Sequence, residues 1–423
     1  MSWQLRLMVR SCMSIGLCVV MLATIGILLG TGSSYGAEVG GIYTEPTTKD
    51  LGEVTKVDFF KGLKFRGWID TYFVGNFNDP TRSVVEANQS QSVLKSRDLT
   101  IEGRTFDVRD RSFSFSLAEL EVEKVPDVGG VGFKLDLAFG DTQDIIVDTI
   151  KAASGRSSVS DFDRYVQHAS LSYVAPIGRG IRLDIGKFVT HIGGETIASI
   201  KNHNYSHGFF YTYAIPFQDS GIRVRYDWTD TFYTEFYVVN GWNVTSDNNK
   251  AKSFGPAIGW APSSQFSVYF NYLVGNEQTD NDKVFNNLRH LFDAQVNFAP
   301  IEPLNFHLNL DYAWEENAIN GVDNARWGGV TGWVRYRVNK AFEPTLRVEW
   351  YRDEDGFTTG VVQTLVSVTL TMNYKIGFGK FANILLRPEY RFDHSNEDFF
   401  THKDDFRSRK TQHTLGIGAV VYF

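Results

Sequence analysis

Cysteine is nearly absent: among 423 residues only Cys12 and Cys18 carry a thiol, and both fall in the first twenty positions. If that stretch is removed on export, the working protein has no disulfide and no thiolate metal site. Proline is scarce as well, at 11 residues against 33 Phe and 19 Tyr. Such a composition excludes a disordered or collagen-like chain, because this aromatic content can bury enough apolar surface to offset the ordering entropy. After residue 37 no apolar run is long enough for a membrane helix, and the mean hydropathy is −0.21. Any membrane insertion must therefore use strands. No HExxH pair, phosphate-binding loop, dinucleotide motif, solenoid repeat or low-complexity tract is present.

What is present starts with a leader. Arg6 and Arg10 form a basic stretch, Ser14 through Gly30 is continuously apolar, and Ser34 and Gly36 occupy the −3 and −1 positions of a small-x-small cleavage site. Residues 1–36 therefore read as a secretory signal peptide rather than a spanning anchor, since no charged flank follows the run. Leu17, directly before Cys18, is too large for lipoprotein processing. Cleavage leaves 40 basic and 49 acidic groups, a net charge of −9, which argues against nucleic acid as a partner. Residues 37–61 are expected to form a short polar periplasmic extension and 62–423 the folded unit.

From residue 62 the chain alternates with period two. Phe342, Pro344, Leu346, Val348 and Trp350 face one way, against Glu343, Thr345, Arg347, Glu349 and Tyr351, and Leu304 through Glu315 and Val362 through Tyr374 repeat the pattern. One face is apolar and the other polar, the signature of a half-buried sheet or of a barrel whose outside meets lipid. The apolar faces often end in aromatics (Trp228, Trp260, Tyr312, Trp314, Trp350, Tyr374, Tyr390), as interfacial girdles do. A soluble sandwich would press the many inward charges into a dry core. Sixteen strands are expected, near 62–77, 109–123, 130–140, 164–175, 181–190, 218–228, 231–240, 253–262, 265–275, 286–299, 304–316, 325–338, 342–351, 361–374, 381–393 and 410–423. The fold class is thus an all-β, antiparallel up-and-down transmembrane barrel, with short turns on one side and long connections on the other. Residues 207–216 resemble a strand, but an extra crossing would put its neighbours out of phase. They are assigned to a long connection, His191 to Phe217, the third outer loop, expected to fold into the lumen.

The last strand, Leu415 to Phe423, ends on a carboxy-terminal Phe, an ending that resembles the terminal strand of bacterial outer-membrane proteins, where it serves as the assembly signal. The ordered set Gly186-Lys187, Gly194-Glu195, Asn204-Tyr205-Ser206, Tyr213, Pro216, Gly221 and Asn240-Gly241-Trp242 resembles the central signature of the OmpL-like β-barrel porin family, with the likeness extending from about residue 60 to Phe423. That resemblance implies a Gram-negative outer-membrane channel for small hydrophilic solutes or ions, without catalytic residues or cofactors. The implied partners are outer-membrane lipid, the assembly machinery and the solutes, and a homo-oligomer is compatible with it.

Inward residues of a sixteen-stranded tube face water. The expected pore-lining set is Arg182, Arg223, Arg225, Arg335, Arg337, Arg347, Arg387 and Arg391, with Glu195 and Lys201 from the long connection and with acids such as Asp184, Asp227, Glu349, Glu389 and Asp393 interleaved. These charges either set a field across the constriction or satisfy one another along the wall. A positive constriction would give mild anion preference. His191, His203 and His207 share the long connection but lack the companions of a zinc site, so no metal is expected. Asp393-His394-Ser395-Asn396 faintly resembles the His, Ser and Asn set of outer-membrane phospholipase, the enzyme alternative. A binding or adhesion barrel, using connections 78–108 and 394–409, is the third reading.

Overall fold

The period-two pattern becomes a closed wall. A computed structural model describes residues 62–80, 101–155, 158–278, 287–378, 382–402 and 408–423, and the expected leader and extension lie outside the described residues. The wall strands are β1 (Leu63–Asn76), β2 (Ser114–Lys124), β3 (Val131–Phe139), β4 (Val166–Ala175), β5 (Ile181–Val189), β6 (Gln218–Asp227), β7 (Phe232–Val239) and β8 (Ser253–Ser263). They continue with β9 (Phe266–Asn276), β10 (Leu288–Ile301), β11 (Leu304–Ile319), β12 (Asp323–Tyr336), β13 (Phe342–Asp353), β14 (Gln363–Phe378), β15 (Ala382–Ser395) and β18 (Thr411–Tyr422). Two short strands, β16 (Phe400–Thr401) and β17 (Ser408–Arg409), pair with each other in the last connection. Each wall strand pairs antiparallel with its neighbours, and β1 meets β18, with Trp68 opposite Tyr422 and Asn76 opposite Thr414. Closure supplies the partners that an edge exposed to hydrocarbon would lack.

All sixteen expected strands are present, with ends displaced by a few residues. The largest displacement is at β2, which starts at Ser114 rather than 109 because residues 101–113 leave the wall. Residues 207–216 form no crossing; Phe210–Ala214 make one wide helical turn. Two helices, Asp141–Ser154 and Asp161–Tyr165, were not foreseen in the β3–β4 connection. The longer one carries Asp141 and Asp144 in its first turn, where negative charge suits the helix amino end, and Gly155 closes it at φ 65°. Its buried residues Ile146, Val147 and Ile150 lie at helical spacing. Among the described residues, no helix is long and apolar enough to cross a membrane.

Inward and outward faces differ as the alternation requires. On β13, Thr345, Arg347, Glu349, Tyr351 and Asp353 are buried inward, while Phe342, Leu346 and Trp350 face out. Toward the end with long connections the inward residues turn apolar. Leu291, Trp327, Tyr351 and Leu365 of the wall join Phe106, Ile146, Ile150, Ile192, Phe209, Phe210 and Phe400 of four connections in one buried cluster.

Candidate channel lumen

Residues 190–217 join β5 to β6, and their backbone meets inward side chains of the opposite wall. Arg347 on β13 donates from Nη1 to Glu195 Oε1 and to the Ser206 carbonyl, each at 2.6 Å, and its Nε lies 3.1 Å from Glu349. On β15, Arg387 donates to the carbonyls of Ser199 (2.5 Å) and Asn202 (2.8 Å). Arg391 donates to the His207 carbonyl (2.7 Å) and pairs with Asp393 (2.6 Å). Between them Glu389 accepts the backbone N–H groups of Tyr205 (2.8 Å) and Ser206 (3.1 Å). Asp70 on β1 accepts from the Ser199 hydroxyl (2.5 Å) and the Tyr205 phenol (3.0 Å), and Asn309 on β11 accepts from Gly194 N (2.8 Å). Lys201 pairs with Glu121 on β2.

These contacts have a sequence cause. The strand period presents Arg387, Glu389 and Arg391 inward in one file, so donors and acceptors alternate along it and match the alternating C=O and N–H groups of an irregular backbone. Charge-assisted bonds of this kind are roughly twice as strong as neutral ones. Gly208 permits the approach: a Cβ there would fall 2.0 Å from Glu349 Oε1.

A second segment lies against the first. Arg104 pairs with Asp107 (2.5 Å) and reaches the Thr414 hydroxyl on β18, and Gln412 donates to the Glu102 carbonyl at 3.1 Å. Phe106 packs edge-on to His207 with ring centroids 4.8 Å apart, and Thr105 shares a hydrogen bond with Thr212. Burial pushes the His207 imidazole down to about 4, while its bond to the Thr196 carbonyl (2.7 Å) opposes that shift. His203 is held well below its ordinary value, by burial first and then by Arg335. Both rings are therefore neutral at pH 7.

The expected residues fall into three groups. Arg347, Arg387 and Arg391 meet the long connection, whose own Glu195 pairs with Arg347 and whose Lys201 pairs with Glu121. Arg182 and Arg223 share Asp184, at 3.0 Å and 2.7 Å, and Arg225 pairs with Asp227 and Glu235 on the β5–β7 wall. Arg335 and Arg337 share Glu343 at the end with short turns. Asp70, Arg104, Phe106, Asp107 and the helix Asp141–Ser154 were not singled out from the sequence. Asp70 had a signal, an inward carboxylate between Trp68 and Tyr72, but the one-off stretch 101–113 has no period to read. Asp393, His394, Ser395 and Asn396 do not converge, and Asn396 is exposed and accepts from the Thr364 backbone N–H. Asp393 and Ser395 are fully buried inward, the latter bonded to Gln363 (2.7 Å), while His394 lies opposite the outward Val366.

A closed sixteen-strand wall with a polar inside and an apolar, aromatic-ended outside decides the class, and a family model described as "Putative beta-barrel porin-2, OmpL-like" matches residues 62–423. The chain belongs to this porin family. No curated protein sequence matches it. Among solved structures, this porin is similar to the outer-membrane channel DcaP of Acinetobacter baumannii (10% identity, 85% of this chain and 96% of that one, TM-score 0.51). It is similar to an anion-selective porin from Comamonas acidovorans (10% identity, 85% and 99%, TM-score 0.51) and to outer-membrane OmpT of Vibrio cholerae (13% identity, 88% and 100%, TM-score 0.50). At such identities the likeness shows the fold alone.

Proposed function

We propose that this outer-membrane porin is a water-filled channel for passive diffusion of small hydrophilic solutes or ions, narrowed by residues 190–217. The observation that supports the reading is the hydrogen bonding of that segment to inward side chains of β1, β11, β13 and β15. The leader directs export, the carboxy-terminal Phe423 serves the assembly machinery, and no catalytic step is assigned. A homo-oligomer is part of the reading. The three arginines of β13 and β15 spend their donors on peptide carbonyls, so the field that a solute meets comes from the β5–β6 wall. There the Arg182 and Arg223 side chains are 16% and 25% exposed, and the Asp184 they share is 1% exposed. Cations standing over a recessed acid favour mild anion preference.

Conductance across a planar bilayer tests the reading. Ohmic current is expected, with a reversal potential in a salt gradient of the sign for anions, and deletion of residues 195–210 should raise the conductance. Absence of current would overturn the channel, and an unchanged conductance would overturn the role of the segment.

A further inference from the structure

Three acids meet on the inner wall of β2 and β3. Glu121 lies opposite Asp136, and Glu119 follows on the same face of β2, opposite Trp68. One carboxylate oxygen from each lies within 4.8 Å of the other two, and all three side chains are buried. Among the described residues no other three acidic, histidine or cysteine side chains converge as closely. Acids alone make no site, but a backbone irregularity brings a neutral oxygen to this one. Asp136 pairs with His168 and Leu137 with Val166, so Gln167 is an extra residue in β4. Such a bulge re-aims a side chain. Gln167 is 2% exposed and donates from Nε2 to Glu119 Oε2 at 3.1 Å. Its Oε1 accepts no hydrogen bond, nor do Glu119 Oε1 and Asp136 Oδ1.

One cation at this group comes from the long connection. Lys201 Nζ pairs with Glu121, lies 4.0 Å from Glu119 and stands 4.6 Å from the centre of the Trp68 ring. Lys134 is 3.3 Å from Asp136 and 3.5 Å from Glu121, and Arg66 reaches Glu121 and Glu123 at 2.7 Å each. Glu119, Glu121, Glu123 and Asp136 thus face Lys201, Lys134 and Arg66, a balance of −1. A divalent ion in place of the Lys201 ammonium brings that balance to zero. Oxygens bound to a calcium-sized ion at about 2.3–2.6 Å stand at most about 5 Å apart, which is the spacing of these carboxylates. We propose that Glu119, Glu121, Asp136 and the Gln167 side-chain carbonyl bind a divalent cation of the calcium type, in exchange for Lys201. The ion and the long connection compete for one place on the wall. Binding returns the Lys201 ammonium to the lumen and makes the field there more positive, a consequence that rests on the channel reading, whereas the binding itself does not.

The full chain refolded in detergent micelles and titrated with terbium(III), a luminescent ion of calcium-like size excited through tryptophan, tests this. Trp68 stands beside the site, so saturable emission is expected, reversed by calcium chloride but not by sodium chloride at equal ionic strength. Glu119→Gln with Asp136→Asn should abolish it, and Gln167→Leu should weaken the affinity about ten-fold. Lys201→Met should tighten it about ten-fold, because the competing ammonium and its charge-assisted bond are gone, a gain that loss of a merely structural contact does not produce. Heat-modifiable migration checks the folding of each variant, and where the double variant does not fold, Gln167→Leu and Lys201→Met decide between them. Emission that calcium does not displace, full emission in the double variant, or unchanged affinity in both single variants would overturn the proposal. None of these readings needs a current. In a conducting channel, calcium should also move the reversal potential toward anions in the wild type and not in the double variant, and equal movement in both would overturn the exchange with Lys201.

Discussion

Arg347 is wholly buried between Glu195, Glu349 and the Ser206 carbonyl. Breaking such a set by removing the cation strands two carboxylates, at a cost of roughly 3–5 kcal/mol. Arg347→Gln should therefore lower the urea midpoint of the refolded protein and make single-channel current noisier, and Glu195→Gln in the same chain should recover part of the loss. Wild-type stability in Arg347→Gln would show that the pairing contributes nothing. His207 gives a pH response whose sign is fixed. Its imidazole is depressed to about 4 in the folded chain, against about 6.5 unfolded. The unfolded or released segment therefore binds the proton more tightly. The contribution of the neutral ring is complete above about pH 6.5 and is lost as pH falls toward 4, by about 3 kcal/mol at most. Conductance should stay flat from pH 8 to 6.5 and rise on acidification, and His207→Gln should flatten that rise.

At the scale of elements, residues 101–113 hold 190–217 in place through Phe106 and the Thr105–Thr212 bond. Phe106→Ala should cost about 3–5 kcal/mol, as for a buried aromatic, and should raise conductance without touching the wall, whereas a polar substitution on the outward face of β13 should lower membrane insertion. Comparing single-channel current with heat-modifiable migration separates the two. The wall strands were legible because lipid on one side and water on the other impose the same constraint at every second residue, as in Phe342 to Trp350. The inserted pieces were not, since their partners lie on distant strands. The sequence marks Arg387 and Arg391 as inward but carries no sign that they meet peptide carbonyls rather than water. The helix had a local signal, Ile146, Val147 and Ile150 at helical spacing behind Asp141 and Asp144, which a search for alternation alone passes over.

For the molecule as a whole, the seam between β1 and β18 decides whether the ring exists. It extends to the last residue: Gly67 and Phe423 exchange backbone hydrogen bonds at 3.2 and 3.0 Å. A Cβ on Gly67 would fall 2.5 Å from the Phe423 ring. Gly67→Val should dislodge that ring and lower the outer-membrane level, as should deletion of Phe423, while refolding in detergent proceeds for the deletion. Normal membrane levels in both variants would separate Phe423 from assembly. The cluster at the mouth gathers Phe106 from the first connection, Ile146 and Ile150 from the second, Phe209 and Phe210 from the third and Phe400 from the last. The last of these, Phe400, comes from the hairpin that directly precedes β18, the strand that shuts the ring. The residue that completes the rim of the mouth and the strand that completes the wall are thus neighbours in sequence, so loss of the last hairpin would widen the mouth and loosen the seam together.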